Sequence, residues 1–269
     1  MEKEKPEQAL LRLWDDERAP KYDVLIVDEA QDILSPQYLD VLNELLTGGL
    51  AGGKWLIFGD FENQAIYLGN PGRSADDLIQ ALAERAPHHA RHRLSVNCRN
   101  AERIARTLTL VCNLHPGYRK TIQDVEGAEV EPLFWKDDAE QQDMLTEALR
   151  RLRGIFAANE IVVLSTRKGP DSCAGRLAKK GTAALVPLRN TRGGDSGSPY
   201  VTIHAFKGLE APAIVVTDIT SLGDEQRSLL YVAMSRARVR LVLLMQKSCR
   251  DAYRQLFLRN LGSTAGGGS

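Results

Sequence analysis

The 269-residue sequence contains no apolar run approaching the roughly 20 residues that cross a bilayer. Its opening, MEKEKPEQAL, lacks the apolar segment of a signal peptide, so a cytoplasmic protein with no membrane partner is the expectation. Cysteine is sparse. Cys98, Cys112, Cys173 and Cys249 are far apart with no CxxC pair, which excludes a zinc ribbon or a disulfide framework as the basis of the fold. Glycine is missing from the whole stretch before Tyr22, and no internal repeat is visible. A hydrophobic content of 43% with 26% charge is that of a globular chain long enough for two compact domains.

The formal charge of zero conceals a division. Residues 1–92 hold 9 Lys+Arg against 17 Asp+Glu, a net of −8, and residues 93–269 hold 26 against 18, a net of +8. A basic second half suits a surface that meets phosphates, although solvated charge would look the same. The spacing predicts strands at 22–28 and 54–60 and helices at 36–47 and 75–85. The second half repeats the alternation, with strands at 130–135, 160–165, 184–188, 200–205, 213–219 and 239–245. Helices are expected over 138–157, from 171, and over 224–235. Alternating elements of this kind predict an α/β protein of mostly parallel sheets with helices on both faces. Such sheets gather ligands at the carboxyl ends of their strands, where Asp28, Glu29 and Asp60 fall. The domain boundary is expected near residue 92, before RLSVNCRN, and GSTAGGGS (262–269) reads as a flexible tail.

VLIVDEAQD is the strongest chemical signal, a buried strand delivering two adjacent carboxylates. In an ATPase the first, Asp28, would hold Mg²⁺ and the second, Glu29, would orient or deprotonate the attacking water. His88, His89 and His92 have metal-like residue types but no paired carboxylates or thiolates, and are read as a solvated loop.

DEAQD resembles motif II of superfamily 1, UvrD/Rep-type DNA helicases, and FGDFENQAIY is similar to motif III. NCRN resembles motif IV, VTIHAFKGLE motif V and LLYVAMSRAR motif VI, five motifs in family order across residues 24–238. The resemblance implies RecA-like folding, a partial first domain (1–92) and a complete second one (93–261), with ATP and Mg²⁺ as cofactors. It implies that Gln64 senses the γ-phosphate, that Asp60 supports the metal and water, and that Arg99 and Arg236 reach the γ-phosphate. Glu210 would contact the nucleotide sugar and Gly208 would allow close backbone approach. Tyr67, Thr202, His204 and Lys207 would meet DNA or couple it to the nucleotide. Single-stranded DNA, or a junction of duplex and single strand, is the implied partner.

The family pattern breaks at its first motif. A GxxxxGK loop followed by Ser or Thr should precede DEAQD, its backbone N–H groups cradling phosphate oxygens. None is present there, and GGLAGGK (48–54) fits the spacing but is followed by Trp55 and enters a strand. The sequence thus reads as the motor portion of a helicase whose P-loop segment is supplied in cis or by a partner chain. A non-catalytic DNA- or protein-binding subunit, or one half of a split ATPase, is the alternative. Cys98 stands where the family has an adenine-stacking Tyr, and Tyr67-Leu68-Gly69 replaces a base-stacking Trp.

Overall fold

A computed structural model of the chain describes residues 5–15, 20–32, 35–61, 75–114, 117–181, 183–190 and 197–264. The chain forms two compact units, Met1–Arg93 and Leu94–Ser269. Every strand pairing among the described residues is parallel. Among the described residues no helix is long and apolar enough to cross a membrane.

In the first unit the order is α1 (Pro6–Asp15), β1 (Val24–Val27), α2 (Pro36–Leu45), α3 (Gly49–Gly52), β2 (Lys54–Ile57) and α4 (Ala75–Arg85). Ser35 starts α2 by accepting a hydrogen bond from the Tyr38 N–H, with Pro36 at the first helical position, where its missing N–H costs nothing. β1 and β2 pair in register from Val24↔Lys54 to Val27↔Ile57. Side chains alternate across the pleat, so Leu25, Val27, Trp55 and Ile57 face a core built with Leu39, Leu46, Leu50 and Leu78. The opposite face holds Val24, Ile26, Leu56 and Phe58, all exposed, Ile26 by 65%. Among the described residues helices thus cover one face of this two-stranded sheet, unlike the two-sided cover expected. Lys54 begins β2, as the order of GGLAGGK and the following strand indicates.

The second unit runs β3 (Val96–Ala101), α5 (Glu102–Cys112), β4 (Lys120–Gln123), β5 (Glu129–Trp135), α6 (Asp138–Leu152), β6 (Ile161–Ser165), α7 (Cys173–Lys180), β7 (Leu185–Pro187), β8 (Ser198–Thr202), β9 (Ala211–Ile219), α8 (Asp224–Met234), β10 (Ala237–Gln246) and α9 (Arg250–Thr264). Its main sheet has the order β5-β10-β9-β6-β8-β7, with β3 and β4 forming a separate pair. The central strands β6 and β9 are buried almost throughout, as strands covered on both faces must be. Leu145, Leu149, Cys173 and Leu177 from α6 and α7 pack on the face showing Val163, Val215, Val242 and Leu244. Pro132 sits within β5, which is tolerated because among the described residues β5 is an edge strand, paired with β10 alone.

Two expectations about helices need correction. The helix expected to 157 stops at Leu152, where Gly154 follows the cap and its backbone freedom opposes a further turn. The expected tail from 262 is helical through Thr264, continuing α9. The 200–205 strand is also shorter than its apolar pattern implied: β8 ends at Thr202, and His204–Phe206 form a 3₁₀ turn.

Candidate functional site

In the first unit, the chain turns sharply as it leaves β1. Glu29 adopts φ 50°, a left-handed conformation that costs a non-glycine residue on the order of 1–3 kcal/mol. That strain is held by hydrogen bonds on both sides. The Glu29 N–H donates to Asp28 Oδ1 at 2.9 Å, and the Ala30 N–H donates to the Phe58 carbonyl at 2.9 Å. Gln31 is fully buried and bridges the ends of the two strands. Its Nε2 donates to Glu29 Oε2 at 2.5 Å, while its Oε1 accepts from the Asp60 N–H at 3.0 Å. A Cβ at Gly59 would stand 2.8 Å from Gln31 Oε1, so glycine is needed there for the amide to reach. Asp28 is exposed and Asp60 half-buried, both at carboxyl ends of parallel strands, where an α/β sheet offers groups to a ligand. Gln31 has no role in the sequence reading beyond membership of DEAQD. Gln64 and Tyr67 lie outside the described residues.

The second unit assembles its cationic residues at the other end of a sheet. Glu210 immediately precedes β9, and Arg236 immediately precedes β10. They therefore lie at the amino ends of these strands, whereas Asp28, Glu29 and Asp60 follow the carboxyl ends of theirs. The Ala211 N–H donates to the Arg236 carbonyl at 3.1 Å and joins the two strand entries. Asn100, 2% exposed, locks β3 onto the same turn. Its Nδ2 donates to the carbonyls of Ser235 at 3.1 Å and Ala237 at 2.6 Å, on either side of Arg236. Its Oδ1 accepts from Asn97 Nδ2 at 2.9 Å, and Asn97 Oδ1 accepts the N–H groups of Arg99 and Asn100. Two buried asparagines thus fix the backbone carrying Arg99 relative to the backbone carrying Arg236. Arg99 Nε donates to Glu210 Oε2 at 2.9 Å, and Arg238 Nη1 lies 3.7 Å from Glu210 Oε1. Arg236 itself is 3% exposed.

Between Thr202 and Glu210 the chain passes from one end of the sheet to the other. Thr202 is level with Ser165, and Ser165 with Thr217, six residues along β9 from Ala211. At about 3.3 Å per residue this is a drop of about 20 Å. Thr202 and exposed His204 are thus at the carboxyl ends, with Thr202 Oγ1 accepting from the Ala205 N–H at 3.3 Å. Lys207 is half-buried. Gly208 has φ 82° and a Cβ there would meet nothing within 4 Å, so within this chain its conformation, not crowding, demands glycine.

Asp218 was not anticipated. An extra residue in β9 opposite Leu243–Met245 makes a bulge, and Asp218 sits in it with φ 63°. Its buried carboxylate accepts from Ser165 Oγ at 2.7 Å, Thr217 Oγ1 at 2.9 Å and the Cys173 N–H at 3.0 Å. Burial first, then the Asp218 charge, pushes the Cys173 thiol up to about 12. The network pins the first turn of α7 to the sheet.

Among the described residues no cluster of His, Cys, Asp and Glu suits a metal. Half-buried His89 packs against Trp55 with ring centres 6.0 Å apart and donates through Nδ1 to the Ala86 carbonyl at 2.7 Å.

The structure is thus a mixed α/β protein with parallel sheets. Residues 200–244 match the family model of the UvrD-like helicase C-terminal domain. That stretch contains Thr202, His204, Lys207, Gly208, Glu210 and Arg236, so the resemblance to UvrD-like helicases holds where the second unit gathers these residues. Among solved structures, the C-terminal domain of a possible DNA helicase from Lactobacillus plantarum WCFS1 aligns with a TM-score of 0.40 and 17% identity, covering 55% of this chain and 87% of that one. A search of curated proteins gave no match.

Proposed function

We propose that this chain is the motor portion of an ATP-dependent DNA helicase or single-stranded DNA translocase, built from one partial and one complete RecA-like domain. In the full-length context it uses ATP and Mg²⁺. The observation that carries the reading is the asparagine lock: Asn100 holds the Arg99 segment on the turn that presents Arg236. A structural scaffold has no use for two guanidinium-bearing segments held so closely in register, whereas phosphoryl transfer does, because charge spreads over the phosphoryl oxygens as the bond breaks.

In this reading Asp28 ligates Mg²⁺, with Asp60 supporting it, and Glu29 orients or deprotonates the attacking water. Gln31 keeps the Glu29 carboxylate in place. Gln64 senses the γ-phosphate, while Arg99 and Arg236 neutralise charge developing there. Glu210 accepts from the sugar hydroxyls. Thr202, His204 and Lys207, with Tyr67, meet DNA or couple it to the nucleotide. The stretch from Thr202 to Glu210 runs the height of the sheet, which supports its acting as the link between a DNA-facing end and a nucleotide-facing end.

The open face of Val24, Ile26, Leu56 and Phe58 supports the requirement for a further P-loop segment, in cis or from a partner chain. A parallel sheet is normally covered on both faces, whereas among the described residues helices cover only one face of this one. The 269-residue chain alone is expected to show no multiple-turnover ATP hydrolysis. Joined to a segment carrying GxxxxGK and Ser or Thr, it is expected to hydrolyse ATP, faster with single-stranded DNA, and Glu29→Gln is expected to abolish this. Failure of the joined protein to turn over ATP while it still binds DNA or protein would favour the non-catalytic subunit.

DNA binding is separately measurable. The +8 half is expected to bind oligo-dT with an affinity that falls steeply with salt, the slope of log K against log[salt] being about −0.7 per phosphate neutralised. Binding titrations from 50 to 200 mM salt that show a flat line would remove the backbone-tracking part of the proposal.

A further inference from the structure

Glu210 stands between two guanidiniums, giving one carboxylate oxygen to Arg99 Nε at 2.9 Å and the other toward Arg238 Nη1 at 3.7 Å. The motif resemblance gives roles to Arg99 and Glu210, whereas Arg238, the last residue of LLYVAMSRAR, is given none. All three side chains are about half exposed, at 44%, 44% and 53%. They belong to three segments brought to the amino ends of β9 and β10, and the Ala211–Arg236 hydrogen bond anchors the peptide beside Glu210 to the turn beside Arg238. The arrangement is therefore fixed by backbone contacts, while its ionic bonds remain in reach of water.

Two cations against one carboxylate leave the group with one net positive charge. Solvent-exposed ion pairs of this kind are weak, since water screens them and ordering two long side chains costs entropy. A phosphate oxyanion is a better partner for a guanidinium fork than a carboxylate held at a single oxygen, and a polyphosphate brings more charge than Glu210 does.

We propose that Arg99, Glu210 and Arg238 form a counter-ion latch, in which Glu210 occupies the anion position of a polyphosphate site and the ligand binds by displacing it. Arg238 is a further phosphate-contacting residue of that site, beside Arg99 and Arg236. Without ligand, Glu210 holds both guanidiniums together and in place. With ligand, its carboxylate is released and free to accept hydrogen bonds from hydroxyl groups, such as those of a nucleotide sugar. The latch deepens the nucleotide-site reading and rests on it, because it takes Arg99 to face phosphate.

The test measures binding of inorganic tripolyphosphate to the intact chain by titration calorimetry at low salt, with wild type, Glu210→Gln, Arg238→Gln and the double variant. Removing a competing carboxylate whose pairs are each of surface strength is expected to tighten binding by about threefold to tenfold. Arg238→Gln in the Glu210→Gln background is expected to reverse that gain. In ¹⁵N spectra the Arg99 Nε–H signal is expected to move in the same direction on Glu210→Gln substitution and on saturation of wild type with tripolyphosphate. Should Glu210→Gln fail to fold, Glu210→Ala and the wild-type Arg99 signal serve in its place.

Unchanged or weaker tripolyphosphate binding by the Glu210 variant overturns the latch. So does a gain seen only for oligo-dT, which assigns the arginines to the nucleic-acid backbone. If tripolyphosphate binding tightens but ATP binds no better than tripolyphosphate, the latch stands and the nucleotide reading falls. If ATP turnover in the P-loop-joined protein depends on Arg236 but Glu210→Gln leaves tripolyphosphate affinity unmoved, the reverse holds.

Discussion

In a protein joining this chain to a phosphate-binding loop, Arg236→Ala is expected to slow ATP turnover by about 10³ to 10⁵, the range for a guanidinium that stabilises a phosphoryl transition state. Arg236→Lys is expected to recover little of this, because an ammonium keeps the charge but loses the planar fork. The position favours such a role. Arg236 is 3% exposed and its backbone is held at three consecutive carbonyls, those of Ser235 and Ala237 by Asn100 and its own by the Ala211 N–H. A group held in this way loses little further freedom in the transition state. Steady-state phosphate release with single-stranded DNA present is the measurement, and the melting temperature separates chemistry from misfolding. A loss smaller than tenfold in a folded variant would take Arg236 out of the mechanism.

The second large effect concerns Asn100, for which Asn100→Ala is expected to destabilise the chain by about 2–4 kcal/mol. The substitution deletes both hydrogen bonds to the Ser235 and Ala237 carbonyls and the acceptor of Asn97 Nδ2. Each buried polar group left without a partner costs about 1–3 kcal/mol. Asn100→Asp is expected to be at least as damaging, since a carboxylate would face two carbonyl oxygens with no proton to offer. Urea unfolding of the 269-residue chain measures both. A change below about 1 kcal/mol for Asn100→Ala would mean that the segments bearing Arg99 and Arg236 are held together by something other than this amide.

Much of the architecture was legible because it is written in local periodicity. The buried runs IVVLS and AIVVTDI announce central strands of a parallel sheet, since only strands covered on both faces have no polar alternation to show. The helix at 75–85 coincides with α4. Other elements escaped for definite reasons. β3 has the sequence VNCRNA, whose polar residues suit no apolar template, and it is a strand because it pairs with β4 and because Asn100 finds partners in distant backbone. α9 escaped because its apolar residues do not gather on one face and its end is rich in glycine and serine.

The candidate site divides along the same line. Residue types and motif order picked out Asp28, Glu29, Asp60, Arg99, Glu210 and Arg236, because a carboxylate pair at a strand end and an arginine after a helix are features of consecutive residues. The supporting groups were invisible. Gln31 acquires its role only when β2 places the Asp60 N–H beside it, and Asp218 only when a bulge turns its side chain toward Ser165 and α7.

By itself, then, the sequence determined that the chain forms α/β units with parallel strands, and where its charged motifs stand in order along them. Tertiary structure alone decided that Asn100 grips the turn around Arg236, that Arg238 shares Glu210 with Arg99, and that these cations gather at the amino ends of β9 and β10. The reason is range. Periodicity and turn chemistry act over a few residues, whereas a hydrogen bond between positions 135 residues apart depends on strand order and register, which no local pattern encodes.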